Sequence, residues 1–377
     1  VENSSIRFED GQIVAVEAGR TAGDGVLDAG DGIVIPGLVD LQVNGALGWS
    51  FQSHHRDHFD AIIDFHRGRG TTTLLPTLIT APVETLTTSL ACLADYLDAA
   101  PAVTLPGIHL EGPFLSPQKS GAHDPAALRL PDLDTAEEFI AAAGGRISIF
   151  TIAPELAGAL PVIEWLAGQG IVVSAGHTAA TYADMKRAMA AGLSSVTHAG
   201  NASDWPHRAP GPLGFMASEP GIVGTLLAEP SLTCGVILDG FHFHPALLSP
   251  LVTVKGADHV VLVSDASTIA GSPPGYYESG GIEVTVHREG FATSGRGGGW
   301  LAGSTITLLD AVQRAVGLAG LPLHTAVHMA TLAPARFLGL DARKGDLAPG
   351  RDADLLVLNP DLSLRHVIVG GEMIERG

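Results

Sequence analysis

Eight short apolar runs, each rich in Val, Ile, Leu and Thr and each followed by loop residues, punctuate the chain between residues 37 and 266. They are Gly37–Gly45, Thr71–Thr80, Leu105–Pro113, Ile147–Glu155, Ile171–Thr178, Ser195–Ala202, Thr233–His242 and His259–Ala266. Their length and composition predict strands. Between them the apolar positions change to helical spacing, as in Phe59, Ile62, Ile63 and His66. That spacing predicts helices over Asp57–Arg67, Val83–Leu97, Thr135–Ala143, Leu160–Ala167 and Tyr182–Ala191, with Thr305–Val316 and Thr325–Phe337 after the eighth strand. Strands that alternate with helices require a parallel sheet, and eight of them permit closure into an α/β fold of the (β/α)8 TIM-barrel type.

The two ends of the chain follow a different rule. Ile6 to Val16 reads as two alternating runs joined by the turn pair Asp10-Gly11, and Ile33-Val34-Ile35 is a further short strand. Gly345–Pro360 and Leu364–Ile374 are again strand-like, with no amphipathic helix between them. A small β-sandwich domain built from residues 1–36 and 343–377, beside a barrel over residues 37–342, is the economical division. Ser203–Pro220, rich in proline and glycine, fits neither helix nor strand and reads as a lid or binding loop. Gly295–Gly299 reads as a hairpin tip, and His54, His55 and His58 as a solvated loop.

Composition narrows the function. Hydrophobic residues make up 46% of the 377, ample for a buried core, and no apolar run reaches the length of a membrane span. No signal-peptide pattern opens the chain, so a cytoplasmic protein is expected. Forty acidic residues against 21 basic ones give a net charge of −19, which argues against a nucleic-acid surface. Cys92 and Cys234 provide neither a disulfide framework nor a cysteine zinc site. Any metal must therefore be held by histidine and carboxylate.

Four of the strand runs end on residues of that kind: Glu111 in HLEGP, His177 in SAGHT, His198 in THAGN and Asp265 in VSDAS. In a barrel these ends form one rim, where catalytic groups gather. One carboxylate and two neutral imidazoles, Glu111, His177 and His198, make a hydrolytic metal site with a position left for water. Asp265 is then the general base that takes the water's proton and hands it to the leaving group. At the first strand the chain has Gln42-Val43-Asn44 where many metallohydrolase barrels have His-x-His. Amides are weak ligands, so one divalent ion per subunit is expected: zinc first, with Fe2+ and Co2+ also accepted by such donors. Whether Gln42 and Asn44 act at the site or only satisfy backbone groups beneath it stays open.

The motifs HLEGPFLSPQKSGAH, SAGHT, THAGNA, ILDGFHFHP, VSDA, LAGST and MATLAPARFLGL resemble those of the N-acetylglucosamine-6-phosphate deacetylase family in the amidohydrolase superfamily. The resemblance runs from PGLVDLQVNG to the end of the chain. It implies a barrel beside a small β-sandwich, a homodimer, and hydrolysis of the N-acetyl group of N-acetylglucosamine 6-phosphate or a close epimer. Carried over by motif, the ligands fall on Glu111, His177 and His198 and the catalytic aspartate on Asp265. His123 would contact the substrate and polarise the acetyl carbonyl, with Ala122 beside it. Asn201 and Ala202 match the pair that receives the sugar phosphate, Leu301, Ala302 and Gly303 match a segment lining the pocket, and His242 matches a further substrate contact.

One departure stands out. Relatives carry an arginine directly before Glu-Pro-Gly, whereas this chain reads Ser218-Glu219-Pro220-Gly221. Two readings follow: Arg208, helped by His207, takes over the phosphate through paired hydrogen bonds, or the substrate is an unphosphorylated N-acyl amino sugar or another N-acyl amine. A barrel that has lost catalysis and only binds is a third reading, and the intact ligand positions weigh against it.

Overall fold

The computed structural model describes residues 4–374 apart from 20–22, 24, 100–103, 211–215, 280–281 and 296–298. All eight apolar runs become strands of one sheet: β1 (Leu38–Val43), β2 (Thr71–Ile79), β3 (Ile108–Glu111), β4 (Ile147–Ile152), β5 (Val172–Ala175), β6 (Ser195–Val196), β7 (Thr233–Ile237) and β8 (Val260–Val263). They lie in chain order and every neighbouring pair is parallel. A parallel bridge between Val43 and Ala266, with Asn44 N donating to Ala266 O at 2.9 Å, joins the first strand to the last and closes the barrel.

Helices cover the outside, among them Arg56–Arg67, Val83–Ala99 and Leu133–Ala142, with Leu308–Gly317 following β8. One large apolar cluster joins these helices to the strands. A second brings together Val39, Leu41, Leu75, Ile149, Ile237, Val261 and Val263 with Ala333 and Ala335. Side chains from β1, β2, β4, β7 and β8 can meet only inside the ring, so this cluster is the packed floor beneath the rim.

The single helix expected over Thr325–Phe337 is two, Leu323–Ala330 and Leu332–Phe337, broken at Thr331. Pro334 is the cause that periodicity hides: it is tolerated in the first turn of the second helix, where its missing N–H has no partner to lose. Ser203–Pro220 also departs from expectation, since His207–Pro210 and Met216–Glu219 pair as an antiparallel hairpin. A three-stranded antiparallel insert, Gly275–Ser279, Ile282–Val286 and Ala292–Ser294, follows β8. The tip expected at Gly295–Gly299 falls largely outside the described residues.

At the ends, Ser4–Glu9 and Gln12–Ala18 form the expected hairpin, with Asp10 and Gly11 at φ 48° and 75°. Two positive φ angles match the strand twist, which is why an Asp-Gly pair serves there. Ile33–Pro36 joins Leu355–Leu358, Leu364–Val369 and Glu372–Ile374 in a four-stranded antiparallel sheet. Ile6, Phe8 and Ile13 of the hairpin pack on Leu355 and Ile368 of that sheet, giving two β layers. Buried Lys344 forms ion pairs with Asp352 and Asp354 and ties this layer together. Among the described residues no helix is long and apolar enough to cross a membrane.

Candidate active site

Glu111 is the last residue of β3, while His177, His198 and Asp265 each lie two residues beyond β5, β6 and β8. Those three have backbone φ of 46°, 27° and 46°, the left-handed region that non-glycine residues avoid. Such conformations cost about 1–3 kcal/mol each and persist only when the surroundings fix them. Here they are fixed: Ser116 N donates to His177 O, Asn201 N to His198 O and Ser304 N to Asp265 O, at 2.9, 3.0 and 3.1 Å. The chain thus turns sharply at each strand end, and the side chains face one another across the barrel mouth.

The result is one buried cluster. Donor atoms of Glu111, His177 and His198 all lie within 4.8 Å of one another. Glu111 Oε1 is 2.9 Å from His198 Nε2 and 3.3 Å from His177 Nε2. His177 Nδ1 donates to Lys119 O at 2.8 Å, which leaves Nε2 as the free donor atom and fixes the ring. Gly121, at φ 57°, makes room for that ring: a Cβ there would stand 3.0 Å from His177 Cε1. One carboxylate and two imidazoles at this spacing fit a divalent cation. Burial alone would raise the Glu111 carboxyl, but hydrogen bonds from His177 and His198 outweigh it and hold the group well below its usual range. Burial pulls His198 down, yet the hydrogen bond to Glu111 and its charge prevail and raise it to about 9.

Asp265 faces this cluster. Burial, then the charge of Glu111, raises its carboxyl above the ordinary range, as suits a group that must both take and return a proton. Asn44 Nδ2 donates to its Oδ1 at 2.7 Å. His123 is 3.2 Å from His177, Nε2 to Nε2, and its Nδ1 accepts from Thr80 N at 3.3 Å. Burial and then the neighbouring His177 push His123 down to about 3, so it is neutral, with its proton on Nε2. Beneath the rim, His109 bonds Leu41 O and Thr151 Oγ1 at 3.1 and 2.8 Å, and Thr151 bonds Thr197 at 2.7 Å. This satisfied polar layer supports the ligands from below.

A cavity of about 460 Å³ opens over these groups. Of the residues singled out for the substrate, Ala122, His123, Asn201, Ala202, His242, Leu301, Ala302 and Gly303 line it. His242 is held by Asp239, whose Oδ2 lies 2.5 Å from its Nδ1, and its carbonyl accepts from Asn201 Nδ2 at 3.0 Å. Arg208 is different: it does not line the cavity, and its guanidinium donates to Met216 O on the facing strand of its own hairpin. No Lys or Arg is among the lining residues described. Sequence reasoning also missed one wall. His58, in the first turn of the helix expected over Asp57–Arg67 but set aside with His54 and His55 as a solvated loop, stacks on Trp49 at 3.6 Å, and both line the cavity. Their position in the segment that links β1 to the first helix, on the catalytic rim, was the available signal.

A profile of the amidohydrolase family matches residues 33–374. An N-acetylgalactosamine-6-phosphate deacetylase of Escherichia coli O157:H7 is 32% identical over 99% of this chain and 95% of its own. The N-acetylglucosamine-6-phosphate deacetylase of Bos taurus is 34% identical over 94% and 86%. Among solved structures, the Mycobacterium smegmatis N-acetyl-D-glucosamine-6-phosphate deacetylase superposes with a TM-score of 0.89 at 34% identity, covering 98% of this chain and 95% of that one. An Asp-to-Ala variant of that enzyme in complex with N-acetyl-D-glucosamine 6-phosphate gives 0.88. With the barrel, the rim cluster and these similarities together, the chain belongs to the amidohydrolase family, and within it to the N-acetyl amino-sugar-phosphate deacetylases.

Proposed function

We propose that this protein hydrolyses the N-acetyl group of N-acetylglucosamine 6-phosphate or its galactosamine epimer, releasing acetate and the amino sugar phosphate. The observation that carries the reading is the convergence of Glu111, His177 and His198 with Asp265 and His123 in one cavity. Glu111, His177 and His198 would hold one divalent ion, zinc by donor type, which when bound polarises the acyl carbonyl and acidifies water. Asp265 removes the proton of the attacking water. His123 donates its Nε2 hydrogen to the acyl oxygen as charge develops there. Protonated Asp265 then delivers its proton to the amide nitrogen, so that the C–N bond breaks and the amine leaves neutral. Asn201, Ala202, His242 and the segment Leu301–Gly303 would orient the sugar. The same reading takes residues 1–36 and 343–377 as the small β domain, and the working form as a cytoplasmic homodimer, to be checked by light scattering on the purified protein.

Replacing Asp265 by Asn is expected to leave one ion bound while lowering kcat by a factor on the order of 10² to 10⁴, the usual worth of a general acid–base. Full turnover in Asp265→Asn would refute the mechanism. One observation favours a second reading: with no Lys or Arg lining the described cavity and Arg208 turned toward Met216 O, an unphosphorylated N-acyl amino sugar fits without an unpaired phosphate. Assays of N-acetylglucosamine and N-acetylgalactosamine, each with and without the 6-phosphate, decide between them. Arg208→Ala with an unchanged KM for the phosphate ester would end the substitute-arginine reading.

A further inference from the structure

β1 delivers two amides to the site. Gln42 and Asn44 are two positions apart on an extended chain, so both side chains leave on the same side. Each claims one carboxylate. Gln42, almost fully buried, donates from Nε2 to Glu111 Oε2 at 3.1 Å, while the other oxygen of Glu111 faces His177 and His198. Asn44 donates from Nδ2 to Asp265 Oδ1 at 2.7 Å. The main chain repeats the link, since Asn44 N bonds Ala266 O at 2.9 Å across the seam where the barrel closes.

An NH2 group donates and never accepts, so it can hold an oxygen without competing for a proton or a cation. A carboxylate has two equivalent oxygens and a freely turning terminal torsion; a donor on one of them removes the ambiguity. From this juxtaposition we infer that Gln42 and Asn44 are positioning residues: Gln42 turns Glu111 so that Oε1 alone meets the cation, and Asn44 turns Asp265 so that Oδ2 alone takes and returns the proton. The inference rests on the deacetylase reading above. It also explains why this strand end carries amides rather than imidazoles. Two imidazoles would compete for the ion, whereas two amides align the groups that hold and use it.

The test uses the purified, metal-loaded full chain and its Asn44→Ala, Asn44→Asp, Gln42→Leu and Asp265→Asn variants. Asn44→Ala is expected to lower kcat at least tenfold with KM within about twofold of the parent and with the bound zinc content and melting temperature held. Asn44→Asp, equal in size but lacking the donor, is expected to lose at least as much. Gln42→Leu is expected to weaken zinc retention against a chelator by about 10- to 100-fold, the usual worth of a ligand's own support. An Asn44→Ala or Asn44→Asp enzyme with parental kcat overturns the inference, as does a loss of kcat matched by an equal loss of zinc or of folded protein. Asp265→Asn separates the two levels: turnover in that variant sinks the deacetylase mechanism itself, whereas an inactive Asp265→Asn beside a fully active Asn44→Ala sinks only the positioning role.

Discussion

Asp40 shows how much the barrel floor asks of a single side chain. It is fully buried; Oδ1 accepts from Ser264 N and Gln42 N at 3.2 and 3.3 Å, and Oδ2 has no partner among the described residues. Burial raises its carboxyl from 3.8 to about 7, with Asp265 adding to the shift. A raised folded-state value means that the unfolded chain ionises first, so stability falls as pH climbs from about 4 to about 7 and levels off above. The shift corresponds to at most about 4 kcal/mol. Asp40→Asn cannot ionise, and its stability relative to the parent should therefore rise by a few kcal/mol between pH 4 and pH 8. Urea unfolding of both proteins across that range measures the difference; a constant gap would show that Asp40 is not buried as an acid.

Among the elements, the helix Tyr182–Ala190 begins with a full capping box: Thr181 Oγ1 accepts from Asp184 N at 3.2 Å and Asp184 Oδ2 accepts from Thr181 N at 2.9 Å. The loop that carries His177 into this helix has its own anchor, with Thr178 Oγ1 and Ala179 N donating to Glu155 at 2.5 and 2.7 Å. Thr181→Ala should therefore cost about 1 kcal/mol of stability, read from its melting curve, with zinc content unchanged. A parallel loss of zinc would show that helix start and metal loop are one unit. Strand runs and helical spacing were legible in the chain because each is local. That locality placed all eight barrel strands and put Glu111, His177, His198 and Asp265 on one rim. The hairpin at His207–Glu219 was not legible, since its pairing is fixed by the neighbours it rests on rather than by apolar alternation, whereas the insert's middle strand, Ile282-Glu283-Val284-Thr285-Val286, does alternate and was passed over. For the same reason the chain alone leaves the role of Asn44 open, because its partner Asp265 is 221 residues away and meets it only when the barrel closes.

For the whole molecule the dominant quantity is charge. A net charge of −19 surrounds a cavity that offers, among its described lining residues, histidines but no Lys or Arg. A phosphorylated substrate must approach against that field, and salt weakens the field by shortening the screening length from about 20 Å at 20 mM to about 7 Å at 200 mM. Between those salt concentrations kcat/KM for an N-acetyl amino-sugar 6-phosphate should rise about twofold or more, while the unphosphorylated sugar should respond little. The sign is the informative part. A cation placed directly on the phosphate would be screened as well, and its loss would make kcat/KM fall with salt. A fall would mean that Arg208, or a residue of a second copy, reaches the phosphate in the working enzyme. A rise would mean that neutral and histidine contacts, His242 and Asn201 among them, hold the phosphate against the charge of the protein that binds it.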